Sequence, residues 1–175
     1  MTDNSFDIKI LHLHWISNID DPEDLCLHGH VFLKIGNEVV TENVGATVSS
    51  TALYLMRTLR NNYKENDYAS QLLPCCGHFI TTEDDKDFVN IHGCPSGIDW
   101  TIMHIDNDKV KHITDKGQEA IIEWGKYKSI VLDFADQVEN FYNQSLPKKI
   151  PTDDFDRKGY LTFWREWRNL RDEWK

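Results

Sequence analysis

The chain lacks most features that would mark it for a membrane, for nucleic acid or for a common catalytic fold. No stretch approaches the roughly 20 apolar residues that a spanning helix needs. Residues 1–7 hold neither a Lys or Arg nor the apolar core of a secretory signal. Basic charge is scarce: 19 Lys+Arg against 29 Asp+Glu leave a formal net charge of −10. Duplex DNA and anionic membranes are bound through Lys and Arg, so neither duplex nucleic acid nor a membrane is the expected partner. There is no Gly-rich phosphate loop, dinucleotide fingerprint, G-x-S-x-G, H-E-x-x-H, internal repeat or low-complexity tract. Asp154 to Gly159 superficially resembles the start of a calcium loop. Lys158 and Arg165 stand at its fifth and twelfth positions, where oxygen ligands are required, so calcium is excluded there. Four Cys without a signal segment read as reduced thiols, buried or metal-bound, rather than a disulfide framework, and the cytoplasm is the expected compartment.

What is present suits one globular domain over residues 1–175, with 40% apolar residues and 8 Phe, 6 Tyr and 6 Trp. Ile8 to Ile16 alternates as a strand, with Ile8, Ile10, His12, His14 and Ile16 on one face. Asp20, Asp21, Pro22, Glu23 and Asp24 make a solvated loop. Leu25 to Ile35 and Glu38 to Thr41 form a hairpin turned at Gly36-Asn37. Val48 to Tyr63 has helical periodicity, with Ser49 or Ser50 as cap and Arg57, Arg60 and Lys64 on the polar face. Cys76 to Thr82 and Phe88 to Cys94 flank an acidic turn, and Asp99 to Ile105 and Lys109 to Thr114 make a further hairpin. Ala120 to Trp124 reads equally as strand or helix start. Tyr127, Ile130, Val131, Phe134, Val138 and Phe141 then form a helical stripe. Asp153 or Asp154 caps a final helix carrying Trp164, Trp167 and Trp174, of which the last is expected to be exposed. Hairpins beside helices predict an α+β fold: a mostly antiparallel sheet covered by about three helices.

Two concentrations of chemistry stand out. The first is Cys and His. Cys26/His28/His30, Cys76/His78 and His92/Cys94 all have i, i+2 spacing, which places each set on one face of a strand. If the middle hairpin turns about Asp85, paired positions sum to 170 and His78 faces His92 while Cys76 faces Cys94. Opposed Cβ atoms lie about 4.5–5.5 Å apart, so Cys76, His78, His92 and Cys94 would form a Cys2His2 set suited to zinc. A shift of one residue dissolves that set. The plain alternative is core thiols and locally bonded imidazoles, with no cofactor. Cys94, in Gly93-Cys94-Pro95-Ser96-Gly97, is also a conceivable nucleophile, with His92 or His78 as base and Asp99 as orienter, although no known signature surrounds it.

The second concentration is acidic charge. Net charge is −6 over residues 1–47, +1 over 48–80, −4 over 81–100, −3 over 101–145 and +2 over 146–175. Two clusters dominate: Asp20, Asp21, Glu23 and Asp24, and Glu83, Asp84, Asp85 and Asp87. Acidic loops steer association with basic partners and offer carboxylates to Arg and Lys. The expected function is therefore a small acidic cytoplasmic binding protein without catalytic activity, of the immunity or antitoxin type, engaging a protein with a basic surface through those eight residues. The alternative is a structural or hydrolytic zinc protein centred on the middle hairpin.

Overall fold

The computed structural model describes residues 4–77 and 79–175. Strand β1 (Phe6–His14) pairs antiparallel with β2 (His28–Ile35), which pairs antiparallel with β3 (Glu38–Ala46). The β2–β3 turn falls at Gly36, whose positive φ of 56° suits a residue without Cβ. Helix α1 (Val48–Thr58) follows, then a two-stranded ladder of β4 (Phe79–Thr81) and β5 (Asn90–His92). Strands β6 (Thr101–Ile105), β7 (Lys109–Ile113) and β8 (Glu119–Glu123) make a second antiparallel meander. The chain ends in α2 (Trp124–Gln144) and α3 (Asp154–Trp174). The fold is α+β as expected, with its strands divided among three antiparallel sheets rather than gathered in one.

Helix α1 is the centre. Every residue of it is buried except Arg57. It is thus a core helix wrapped on all sides, and it stops at Thr58, short of the expected Tyr63. Its N-cap is Thr47, and Ser50 Oγ donates instead to the Gly77 carbonyl at 2.8 Å. Helix α2 packs its expected stripe (Tyr127, Val131, Phe134, Val138) against this core. Helix α3 is capped as its sequence indicates: the Asp153 carboxylate accepts from the backbone N–H groups of Phe155 and Asp156. Trp167 is fully buried, and Trp174 is half-buried against Trp124 with ring centres 5.7 Å apart, so it is not the exposed residue expected. Gly159 makes the docking of α3 on β4 possible, because a Cβ there would stand 2.3 Å from the Ile80 carbonyl oxygen.

One ion pair joins α1, α3 and the β4–β5 ladder. Arg57 donates to both Glu166 oxygens (2.6 and 2.9 Å) and to the Val89 carbonyl (2.6 Å), while the Val89 N–H donates to Glu166 (2.9 Å). The expected polar face of the first helix therefore holds a buried guanidinium, bonded through Nε and Nη2 and stacked over Tyr54 and Tyr68.

The alternation in β1 breaks at Leu11, where the register with β2 shifts between Ile10 and His12. A bulge inserts one residue and exchanges the faces beyond it. Phe6, Ile8 and Ile10 face the core, as does Leu13, whereas His12 and His14 point to the opposite face from the isoleucines with which the simple alternation grouped them.

Candidate functional site

The first acidic cluster lies on the loop after β1, which opens with a short 3-10 turn at Ile16–Asn18. Its carboxylates have local duties. Asp20 accepts from the Leu146 backbone N–H (2.8 Å) and from Lys148 (3.0 Å), and that amide, followed by the lysine, holds its carboxyl below the usual range. Asp21 accepts from the Glu23 N–H, and Asp24 from the Ile16 N–H at 2.7 Å. Glu23 pairs with Lys149 at 2.9 Å. The Lys148 side chain is only 4% exposed and its ammonium sits 3.4 Å from the Trp15 ring centre, so this lysine is a clamp between loop and connector.

The second cluster turns the β4–β5 hairpin against α3. Asp84 pairs with Lys158, whose proximity lowers the carboxyl pKa, and Asp87 pairs with Arg165 at 3.2 Å. Asp85 takes the left-handed conformation at the turn (φ 63°). Among the described residues, Glu83 and Asp85 have no ion-pair partner. The basic excess of residues 146–175 is thus placed on both acidic clusters, and part of their charge is neutralised within the molecule.

The hairpin register differs from the one that gathers the four ligands. Phe79 faces His92, Ile80 faces Ile91 and Thr81 faces Asn90, so paired positions sum to 171. His92 packs on Phe79, and its Nε2 bonds to Thr81 Oγ1 at 3.0 Å. His78 lies outside the described residues. At the mouth of the hairpin, Cys75 and Cys94 form a disulfide across 19 positions, with Cα atoms 6.8 Å apart. This corrects the expectation of four reduced thiols: Cys75, not Cys76, is bonded to Cys94, and a ladder whose paired positions sum to 171 does not set Cys76 opposite Cys94. Cys76 remains a thiol, and its Sγ accepts from the Cys94 N–H at 3.0 Å. The sulfurs of Cys75, Cys76 and Cys94 all lie within 4.8 Å of one another. Cys26 is a core thiol, which burial and then the nearby Asp24 push up to about 12, so it is not a nucleophile.

The arrangement considered for a Cys94 nucleophile is not assembled. Cys94 is bonded to Cys75, and Asp99 accepts from Tyr63 Oη and from the N–H groups of Asn66 and Leu72, pinning a loop rather than orienting an imidazole. Closing a loop of about 20 residues lowers the entropy of the unfolded chain, and reduction of the disulfide should cost about 3 kcal/mol. The check is the difference in urea-unfolding free energy between oxidised and reduced protein.

Between the first acidic loop and β4 lies a groove of about 410 Å³. It is lined by Ile16, Glu23, Asp24 and Leu25 of the loop, by Phe79 and Ile80 of β4, and by Asp156 and Tyr160 of α3. Large apolar side chains stand in solvent here: Ile16 is 60% exposed, Phe79 50% and Phe155 52%, the last two with ring centres 5.8 Å apart. Sequence reasoning singled out the acids of the first loop but missed this apolar surface. The only available signal was Phe79 and Phe155 in segments otherwise rich in charge. Among the described residues, no helix is long and apolar enough to cross a membrane. Comparison with protein-family models, with curated proteins and with solved structures finds no match to this chain.

Proposed function

We propose that the protein is a non-catalytic binding protein that captures a basic, partly apolar segment of a protein partner in the groove between the Asp20–Asp24 loop and the β4–β5 hairpin. The observation that carries this reading is the groove itself, with exposed Ile16 and Phe79 beside Glu23, Asp24 and Asp156, and with Phe155 against Phe79. Exposed apolar patches rimmed by charge are a common form of protein interaction site, and a net charge of −10 favours a cationic partner. Neutralisation of an effector by an immunity-type inhibitor needs no more than this, and cytoplasmic location belongs to the same proposal. Glu23, Asp24 and Asp156, which line the groove, meet the partner in this reading, while Asp20, Asp21, Asp84 and Asp87 are bonded within the molecule.

The test uses purified products of the genes flanking its own, chosen for a basic isoelectric point, as probes in surface binding. At least one should bind with an association rate that falls as salt rises. Reversal of charge by Glu23→Lys with Asp156→Lys should weaken that binding at least tenfold. No binding by any probe, or equal binding by the variant, contradicts the proposal.

A second reading, zinc on the cysteine group, is supported by the three clustered sulfurs. It applies to the reduced form alone, because a disulfide removes two of the thiolates that zinc requires.

A further inference from the structure

The bulge at Leu11 has a chemical consequence. Beyond it, His12 and His14 of β1 point to the same face as His28 and His30 of β2, with His12 opposite His30 and His14 opposite His28. We propose that His12, His14 and His30 form a three-imidazole site for a divalent transition ion of the zinc class on this outer face, independent of the groove reading.

Size is the first argument. The ring centres of His12 and His14 are 5.5 Å apart, those of His14 and His30 5.7 Å, and those of His12 and His30 6.4 Å. A triangle with these sides has its equidistant point about 3.4 Å from each centre. A zinc–nitrogen bond of about 2.1 Å plus about 1.1 Å from nitrogen to ring centre calls for about 3.2 Å. The three ring centres therefore have the spacing of three imidazoles around one ion.

Tautomer is the second argument. His14 Nδ1 lies 3.0 Å from the Trp15 carbonyl oxygen, and His30 Nδ1 lies 2.8 Å from Asn43 Oδ1. Both oxygens can only accept, so Nδ1 carries the proton in each ring and Nε2 keeps its lone pair. An Nδ1–H bonded to an oxygen is the usual outer-shell support of a metal-binding histidine. Space is the third. Gly45 sits opposite His30 on β3, and a Cβ there would meet nothing within 4 Å, so that flank is open. The ligand nitrogens are not gathered within 4.8 Å as the three sulfurs are. Coordination therefore needs ring reorientation, most simply of His12, the exposed member. Three imidazoles leave a fourth position for water, as open zinc sites do.

The test takes the untagged full chain with the Cys75–Cys94 disulfide intact, stripped by chelator. It is titrated with Zn²⁺ against a chromophoric competitor, then with Co²⁺ as a spectroscopic probe. One equivalent of Zn²⁺ should bind, at least tenfold more weakly in His14→Ala and in His30→Ala, with His92→Ala unchanged. The Co²⁺ form should show d–d bands without strong thiolate charge transfer. No binding tighter than about 1 mM, unchanged affinity in both patch variants, loss of affinity in His92→Ala, or a thiolate band overturns the site.

Discussion

Replacing Glu166 with alanine should cost the fold about 3–5 kcal/mol, the range for removing one member of a buried ion pair. The Arg57 and Glu166 side chains are 12% and 8% exposed, so solvent cannot take over their bonds. Loss of Glu166 strands the Arg57 guanidinium against Tyr54 and Tyr68 and frees the Val89 N–H at the same time. Both effects act on the contact where α1, α3 and the hairpin meet. Exchange of both partners, Arg57→Met with Glu166→Met, should cost less than Glu166→Ala alone, because it leaves no buried charge behind. Urea unfolding of the three proteins measures this. A loss under about 1 kcal/mol for Glu166→Ala would show that the pair is not holding the elements together.

Acid should unfold the protein earlier than its carboxylates alone require. His112 is fully buried, stacked on Phe6 with ring centres 4.1 Å apart, and Trp100 Nε1 donates to its Nδ1 at 3.2 Å. Burial, and secondarily the neighbouring His104, lower its pKa to about 3. A proton on Nδ1 would also oppose the Trp100 N–H aimed at that lone pair. The folded pKa lies below the ordinary value near 6.5, so below pH 6.5 the unfolded chain binds a proton that the folded one refuses. Stability from this group is complete above pH 6.5 and falls as pH drops towards about 3, by about 1.4 kcal/mol per unit. Between pH 8 and pH 4.5 the loss should be about 3 kcal/mol. Carboxylates such as Asp20 and Asp84, with lowered pKa values, act at lower pH. Unfolding free energies measured from pH 8 to 4.5 should therefore slope in the wild type and flatten in His112→Asn, which keeps an acceptor for Trp100 but does not titrate. Equal slopes in both would contradict the assignment.

The elements that the sequence made legible are those governed by local rules. The Asp153 cap, the α2 stripe and the Gly36 turn each need only a few neighbouring residues, and each stands where expected. What was not legible depends on contacts between distant segments. The β4–β5 ladder is three pairs long, too short to specify its own register. Its position is fixed from outside, by Gly159 against Ile80 and by Glu166 on Val89. A turn centred on Asp85 implies a register one residue from the observed one, and in the observed register Cys76 does not face Cys94, which is bonded to Cys75 instead. The bulge at Leu11 is equally silent in an alternating sequence, yet it carries two histidines to another face. Of the candidate site, both acidic segments were legible as charge. Their pairing with Lys148, Lys149, Lys158 and Arg165 was not, because opposite charges more than 70 residues apart meet only through the packing of α3 and its connector.

The central claim is that the apolar walls of the groove hold the partner, and its most direct test is the affinity of the bound flanking-gene product for Phe79→Ser. Phe79 is half exposed, so the variant should keep the wild-type melting temperature to within a few degrees. Binding should fall at least tenfold, mainly through faster dissociation. Wild-type affinity in a folded Phe79→Ser protein would contradict the claim and move the partner's binding site elsewhere on the molecule.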